Sequence, residues 1–243
     1  MEDKLYYEAY EDRYRKAYAA GAVRWGHGPE DEALRAMLKR WVDTYGLAGK
    51  HVLEFACGEG ASGVILSQLG CVYHGVDLAP SALERAREAL AGCPNATVSR
   101  LDMVREALPG PYDAALDVMG LHMLITDADR SAYLRNAYGC LIPGAPMLFF
   151  REAYREGIYE DPVDSIEQWQ QLYPGDYVTP QQRTAHGSQG DVEVCVPLLH
   201  ARGRGQAGYR QELTAAGFVV DWFEMDESNE QIARSQSFCV HKP

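Results

Sequence analysis

The chain has 243 residues, 47% of them hydrophobic, which suits one sizeable core with a small elaboration and not several independent domains. Its 23 basic and 35 acidic residues leave a formal charge of −12, a field that repels phosphate backbones and disfavours nucleic acid as a partner. No apolar run approaches the ~18 residues of a membrane span, and the charged start Met1-Glu-Asp-Lys lacks the basic-then-apolar order of a secretion signal. A soluble, cytoplasmic monomer or homodimer with no membrane partner is expected.

The N-terminal segment gathers Leu5, Tyr6, Tyr7, Tyr10, Tyr14 and Tyr18 on roughly one side of a helical period, followed by the loop Trp25-Gly-His-Gly28. Such a helix can pack on the domain or serve as a lid, and both can hold at once. Pro29 and Asp31 open a second helix, in which Leu34, Met37, Leu38, Trp41 and Tyr45 repeat at helical spacing as far as Gly46. That stripe reads as core.

Val52-Leu-Glu-Phe-Ala-Cys-Gly-Glu-Gly-Ala-Ser-Gly63 then reads as a buried strand with an acidic end, a glycine loop and a helix start. Gly58 and Gly60 let the backbone turn with no side chain where a ligand approaches, and the helix from Ala61 to Leu69 stops at Gly70. Gly58-x-Gly60-x-x-Gly63 is also the pattern of a dinucleotide fingerprint, with Asp77 at the spacing of its acidic residue. Glu54, however, stands before the glycines, where a pyrophosphate site would avoid negative charge and a cationic ligand would favour it.

The remaining elements follow in order. Cys71 to Val76 reads as a strand ending at Asp77, and Pro80 with a Ser81-x-x-Glu84 capping box starts a helix running to Gly92. Thr97 to Leu101 and Tyr112 to Val118 read as strands, Asp127 to Tyr138 as a helix, and Pro146 to Phe150 as a strand after the Pro143-Gly144 turn. Arg151 to Gly205 is irregular and carries Tyr154, Tyr159, Trp169, Tyr173 and Tyr177, either a pocket lining or the satellite core of an inserted cap. Within it Val192 to Leu199 alternates as a strand, with Val194, Val196 and Leu198 on one side and Glu193 and Cys195 on the other.

The pattern Glu54-Phe-Ala-Cys-Gly-Glu-Gly60, with these later elements, resembles the class I S-adenosylmethionine-dependent methyltransferases, small-molecule type, over about residues 30–150 and 206–243. Ala56 stands where that family's motif has its first glycine, and a negative φ is expected there. The resemblance implies an α/β fold, a doubly wound, mostly parallel seven-stranded sheet. Gln211 to Phe218 and strands flanking the loop from Asp226 to Gln231 would form its last helix and closing antiparallel hairpin. The division is an N-terminal helical lid at 1–30, a cofactor-binding core at 31–150, a substrate cap at 151–205 and completion of the core at 206–243.

The resemblance also implies S-adenosylmethionine as cofactor and S-adenosylhomocysteine as its product. It assigns Glu54, Ala56, Cys57, Gly58 and Gly60 to the methionine end, and Asp77 with Leu78 to the ribose, whose diol a carboxylate can accept from twice. Asp102 and Met103 fall at the adenine, Asp117, Val118 and Met119 flank the cofactor, and Tyr14 and Trp25 reach it from the lid. The amide-methylating Asn/Asp-Pro-Pro-Tyr motif is missing, which speaks against DNA bases and protein glutamine as acceptors.

His122 lies just after a strand, at the sheet edge where open α/β folds bind ligands, and is the candidate catalytic base. The six cysteines show no paired spacing, and no His pattern supports a metal. Arg202, Arg204 and Arg210 are too sparse for a nucleic-acid stripe. A methyltransferase acting on N, O or S of a small molecule is the leading reading. A nicotinamide-dependent oxidoreductase and a noncatalytic binder of S-adenosylmethionine are the alternatives.

Overall fold

A computed structural model describes residues 5–226 and 234–243. In chain order the elements are α1 (Ala9–Ala19), β1 (Ala22–Arg24), α2 (Glu32–Tyr45), β2 (His51–Phe55), α3 (Ala61–Gln68), β3 (Val72–Asp77), α4 (Pro80–Ala89), β4 (Ala96–Arg100), β5 (Ala114–Val118), α5 (Asp127–Cys140), β6 (Pro146–Ala153), α6 (Ile166–Leu172), β7 (Gln181–Gly187), β8 (Gly190–Val196), α7 (Gln206–Ala215), β9 (Val219–Met225) and β10 (Ser235–His241). Seven strands form one sheet in the order β4-β3-β2-β5-β6-β10-β9, parallel from β4 through β6, with β10 antiparallel to both its neighbours. This is the doubly wound α/β fold with a closing hairpin that the sequence implies.

Both faces of the sheet are covered, as a parallel sheet of nearly continuous apolar strands requires. On one face Tyr133 and Leu134 of α5 and Tyr209 and Leu213 of α7 pack against Leu53, Phe55 and Phe149. On the other, Leu34, Leu38 and Trp41 of α2 and Ile65 of α3 pack against Val52, Leu116 and Leu148. Asp31 caps α2 by accepting from the Leu34 N–H at 3.0 Å, and Gly46 ends it in the left-handed region at φ 64°.

A second, three-stranded sheet runs β1-β7-β8. It ties the lid to the cap, because β1 follows α1 whereas β7 and β8 belong to the inserted segment. Val194 and Val196 are buried beneath it with Ala17 and Ala22, and Glu193 and Cys195 face outward, as the alternation predicts. Trp169 is buried with Ile125 and Val163 in a satellite core and stacks on Tyr173.

Five sequence expectations shift. The Ser81-x-x-Glu84 box does not form: the Ser81 N–H and hydroxyl both donate to Glu11 of α1, so a distant carboxylate serves the start of α4. Strand β5 starts at Ala114, because Tyr112 bridges Leu141 instead, and β8 stops at Val196. The last helix begins at Gln206 and ends at Ala215. Strand β6 continues past Phe150 to Ala153, and the register slips between Gln236 and Phe238 of β10. Arg151 sits at that bulge with φ 58°, its N–H donating to the Ser237 hydroxyl at 3.1 Å. Of the loop expected from Asp226 to Gln231, residues 227–231 lie outside those described.

Candidate functional site

The chain reverses between β2 and α3 through three residues in the left-handed region, Ala56 at φ 50°, Gly58 at 52° and Gly60 at 79°. Ala56 therefore departs from the negative φ expected of it. Its Cβ is accommodated at a steric cost of about 1–2 kcal/mol, a strain typical of ligand-facing turns. A Cβ on Gly58 would come within 3.0 Å of the Tyr14 hydroxyl, and one on Gly60 within 3.1 Å of Ala86, so lid and α4 both press on bare backbone.

Asp77, at the end of β3, organises this turn. One carboxylate oxygen accepts from the Gly58 N–H and the other from the Ala79 N–H, both at 2.8 Å. Burial pushes the carboxyl above its ordinary range, and these N–H donors pull it back. Each oxygen keeps a lone pair for a ligand.

Asp77 lines a cavity of about 290 Å³. Asp102 lines it too, accepting from the N–H groups of Val104 at 2.9 Å and Arg105 at 3.2 Å. Leu78, Met103 and Leu124 add apolar lining to this slot, and Tyr7, Tyr10 and Tyr14 line it from the N-terminal segment. Glu8, Glu11 and Asp12 add further carboxylates, against Arg100 as the sole lysine or arginine among the lining residues. The electrostatics favour a cationic ligand and oppose a pyrophosphate.

Of the residues expected to hold a cofactor, Tyr14, Ala56, Asp77, Leu78, Asp102 and Met103 line this cavity. Glu54, Cys57, Gly58, Gly60, Asp117, Val118, Met119 and Trp25 do not. Glu54 stands behind the loop, hydrogen-bonded by the Tyr73 hydroxyl and by Ser62, and burial raises its carboxyl to about 7. Cys57 is buried against Tyr73, and Gly58 and Gly60 contribute through the turn. Met119, also left-handed at φ 63°, meets the His27 ring at 2.9 Å from its sulfur, away from the slot.

The lid is fastened at several points. The Tyr7 hydroxyl donates to Asp102 at 3.1 Å, and the Tyr6 hydroxyl donates to Asp129 at 2.9 Å while accepting from the Ile125 N–H at 2.8 Å. Glu59, inside the glycine loop, accepts from the Tyr18 hydroxyl and from the N–H groups of Trp25 and Gly26, each at 2.8 Å. Sequence reasoning overlooked Glu59. Its signal was a carboxylate between two loop glycines, exposed to whatever folds over the loop.

Behind the slot a buried polar cluster surrounds His122. Its ring Nδ1 and its backbone N–H both lie 2.8 Å from one oxygen of Glu152, which is fully buried. With Nδ1–H donating to that carboxylate, Nε2 carries the free lone pair. Asp117 accepts from the Tyr133 hydroxyl at 2.5 Å and the Gly120 N–H at 2.6 Å. Burial first, and then the charge of Glu152, hold its carboxyl well above the ordinary range. His122 does not line the slot, although its neighbour Met123 does. Arg130, also buried, locks the segment by donating to the carbonyls of Leu121 at 2.9 Å and Leu124 at 3.0 Å while pairing with Glu212 at 2.6 Å. Among the described residues no group of three or more His, Cys, Asp or Glu could hold a metal, and no helix is long and apolar enough to cross a membrane.

Residues 52–144 match the family model described as a methyltransferase domain. Over those residues the chain is similar to the S-adenosylmethionine-dependent methyltransferases. A ribosomal protein L11 methyltransferase of Edwardsiella ictaluri is 28% identical over 176 residues, 60% of this chain and 57% of that one. A ubiquinone biosynthesis O-methyltransferase of Pseudomonas fluorescens is 31% identical over 113 residues, 45% of this chain and 47% of its own length. The chain thus spans about half the length of the curated relatives it matches. In fold it is similar to an S-adenosylmethionine-dependent methyltransferase from Clostridium acetobutylicum, with a TM-score of 0.64 at 13% identity over 97% of this chain and 98% of that one. The cofactor of the methyltransferase family is S-adenosylmethionine, and the donor set here fits it: apolar lining for a flat ring, the carboxylates of Asp77 and Asp102, and acidic surroundings for a sulfonium.

Proposed function

We propose that this chain transfers the methyl group of S-adenosylmethionine to a nitrogen, oxygen or sulfur atom of a small molecule. The observation that carries the reading is the acidic slot lined by Asp77 and Asp102. Its carboxylates match hydroxyl and amine donors and a positive sulfur, and they would repel the pyrophosphate of a nicotinamide dinucleotide.

Asp77 would accept from the ribose hydroxyls on its remaining lone pairs, and Asp102 from the exocyclic amine. Leu78 and Met103 would hold the ring. When bound, the cofactor supplies an electrophilic methyl group on a positively charged sulfur. The chain's own contribution is mainly alignment and exclusion of water, which Tyr7, Tyr10 and Tyr14 provide. A nitrogen or oxygen acceptor also loses a proton, and His122 Nε2 is the group to receive it, with Glu152 holding the ring and stabilising its charged form.

Support for a small acceptor comes from the enclosure: α1 lines the slot, and the β1-β7-β8 sheet binds the lid to the cap. The test is transfer of label from methyl-labelled S-adenosylmethionine to a library of small amines, phenols and thiols, run beside ribosomal protein L11. Label on small acceptors, reduced by His122→Asn for amines and phenols, is the expected result. Label on the protein alone would overturn the choice of acceptor.

A further inference from the structure

Arg13 is the observation that the cofactor site leaves unused. It lies on the same face of α1 as Tyr10, three residues earlier, and next in sequence to Tyr14, but unlike those two it does not line the slot. Its guanidinium carbon lies 5.3 Å from the centre of the Tyr10 ring and 5.4 Å from that of Trp25, so two aromatic faces flank it. Trp25 is itself fixed by the Glu59 latch. The Arg13 Nε is buried without a hydrogen-bond partner, and among the described residues no carboxylate pairs with the side chain. The charged and titratable groups that act on it are Tyr10, Tyr14 and a second cation, Arg183 of β7 in the cap.

In a chain of 35 acidic residues, a partly buried arginine paired with no carboxylate is held there only at some expense in stability. Guanidinium is the donor set suited to carboxylate and phosphate oxygens, and aromatic flanks hold its plane without neutralising it. Its neighbours Tyr10 and Tyr14 line the slot, and Arg183 of the cap strand β7 is close enough to act on its charge. We infer that Arg13 binds an anionic oxygen group, carboxylate or phosphate, of the methyl acceptor and thereby selects anionic acceptors. This rests on the methyltransferase reading above.

The test uses the full chain labelled at arginine nitrogen and saturated with S-adenosylhomocysteine. The Arg13 Nε–H resonance, assigned by its loss in Arg13→Lys, is followed while benzoate, inorganic phosphate or the neutral control benzamide is added. A saturable shift with benzoate or phosphate and none with benzamide is expected, the stronger of the two naming the class of anion. Arg13→Gln should weaken that anion's binding about ten-fold or more, the scale of a charge-assisted hydrogen bond, and leave affinity for S-adenosylhomocysteine within about two-fold. An Arg13 resonance that responds to neither anion would mean a merely hydrated guanidinium and would overturn the inference. A shift on adding S-adenosylhomocysteine alone, with affinity for it lost in Arg13→Gln, would also overturn it by making Arg13 a cofactor ligand. Failure of the wild-type chain to bind S-adenosylhomocysteine at all would instead sink the methyltransferase reading, and this inference with it.

Discussion

The Tyr7 hydroxyl donates to Asp102 at 3.1 Å across 95 residues of chain, joining the lid to a carboxylate that lines the slot. Neither residue is free to move without the other. Tyr7→Phe should therefore raise amide exchange across α1 by roughly ten-fold at most, since one such bond contributes about 1 kcal/mol and Tyr6, Glu11 and Glu59 hold the lid elsewhere. Mass-resolved hydrogen exchange reads this directly, and unchanged protection would show the contact to be idle.

Ala56 holds φ 50° with a Cβ in place. Replacing it by glycine relieves that conflict, so Ala56→Gly should stabilise the protein by about 1 kcal/mol after allowing for the freer unfolded chain. Denaturant titration measures it. A destabilised variant would mean that the Ala56 methyl packs more usefully than its backbone is strained.

Glu54 carries a definite pH signature. Burial raises its carboxyl from an ordinary 4.5 to about 7, so the folded protein binds a proton there that the unfolded chain releases. The sign follows: stability from this group is complete below pH 4.5 and is lost as pH rises through about 7. Glu54→Gln, which still accepts from Tyr73, should gain on wild type by up to about 3 kcal/mol between pH 5 and pH 8 in the ligand-free protein. Melting curves across that range provide the comparison, and parallel wild-type and variant profiles would contradict it.

The His122–Glu152 pair yields a kinetic expectation. His122→Asn should lower kcat for a nitrogen or oxygen acceptor by roughly 10²–10⁴-fold, with affinity for S-adenosylhomocysteine nearly unchanged because His122 does not line the slot. Glu152→Gln keeps the shape but removes the charge that stabilises a protonated ring, and should lose activity in the same direction. Full activity in both variants would reduce the pair to a structural role.

The succession of strands along the chain and the glycine turn were legible from local pattern, an apolar run and then a polar end at the sheet edge, whereas the slot residues Asp77, Leu78, Asp102 and Met103 were singled out through the family resemblance. What escaped was set by partners far along the chain. Ser81 looked like half of a capping box, but Glu11 outcompetes Glu84 for it. Glu54 reads as a ligand group from its place before the glycines, and the bond it accepts from the Tyr73 hydroxyl, two residues away in register on the adjoining strand, carries no local signal. Glu152 was hidden in a strand judged to end two residues earlier, and the bulge at Arg151 that accompanies its placement has no glycine to announce it. An acid embedded in so apolar a strand was the available signal, since a buried carboxylate requires partners.

The central claim, that the slot lined by Asp77 and Asp102 holds a sulfonium nucleoside, is tested most directly by calorimetric titration of the wild-type chain and of Asp77→Ala with S-adenosylhomocysteine, with NADH as control. The account predicts saturable binding of S-adenosylhomocysteine, weakened by about 1–3 kcal/mol in the variant, and no binding of NADH. Heat from NADH alone, or equal affinity for S-adenosylhomocysteine in both proteins, would contradict it.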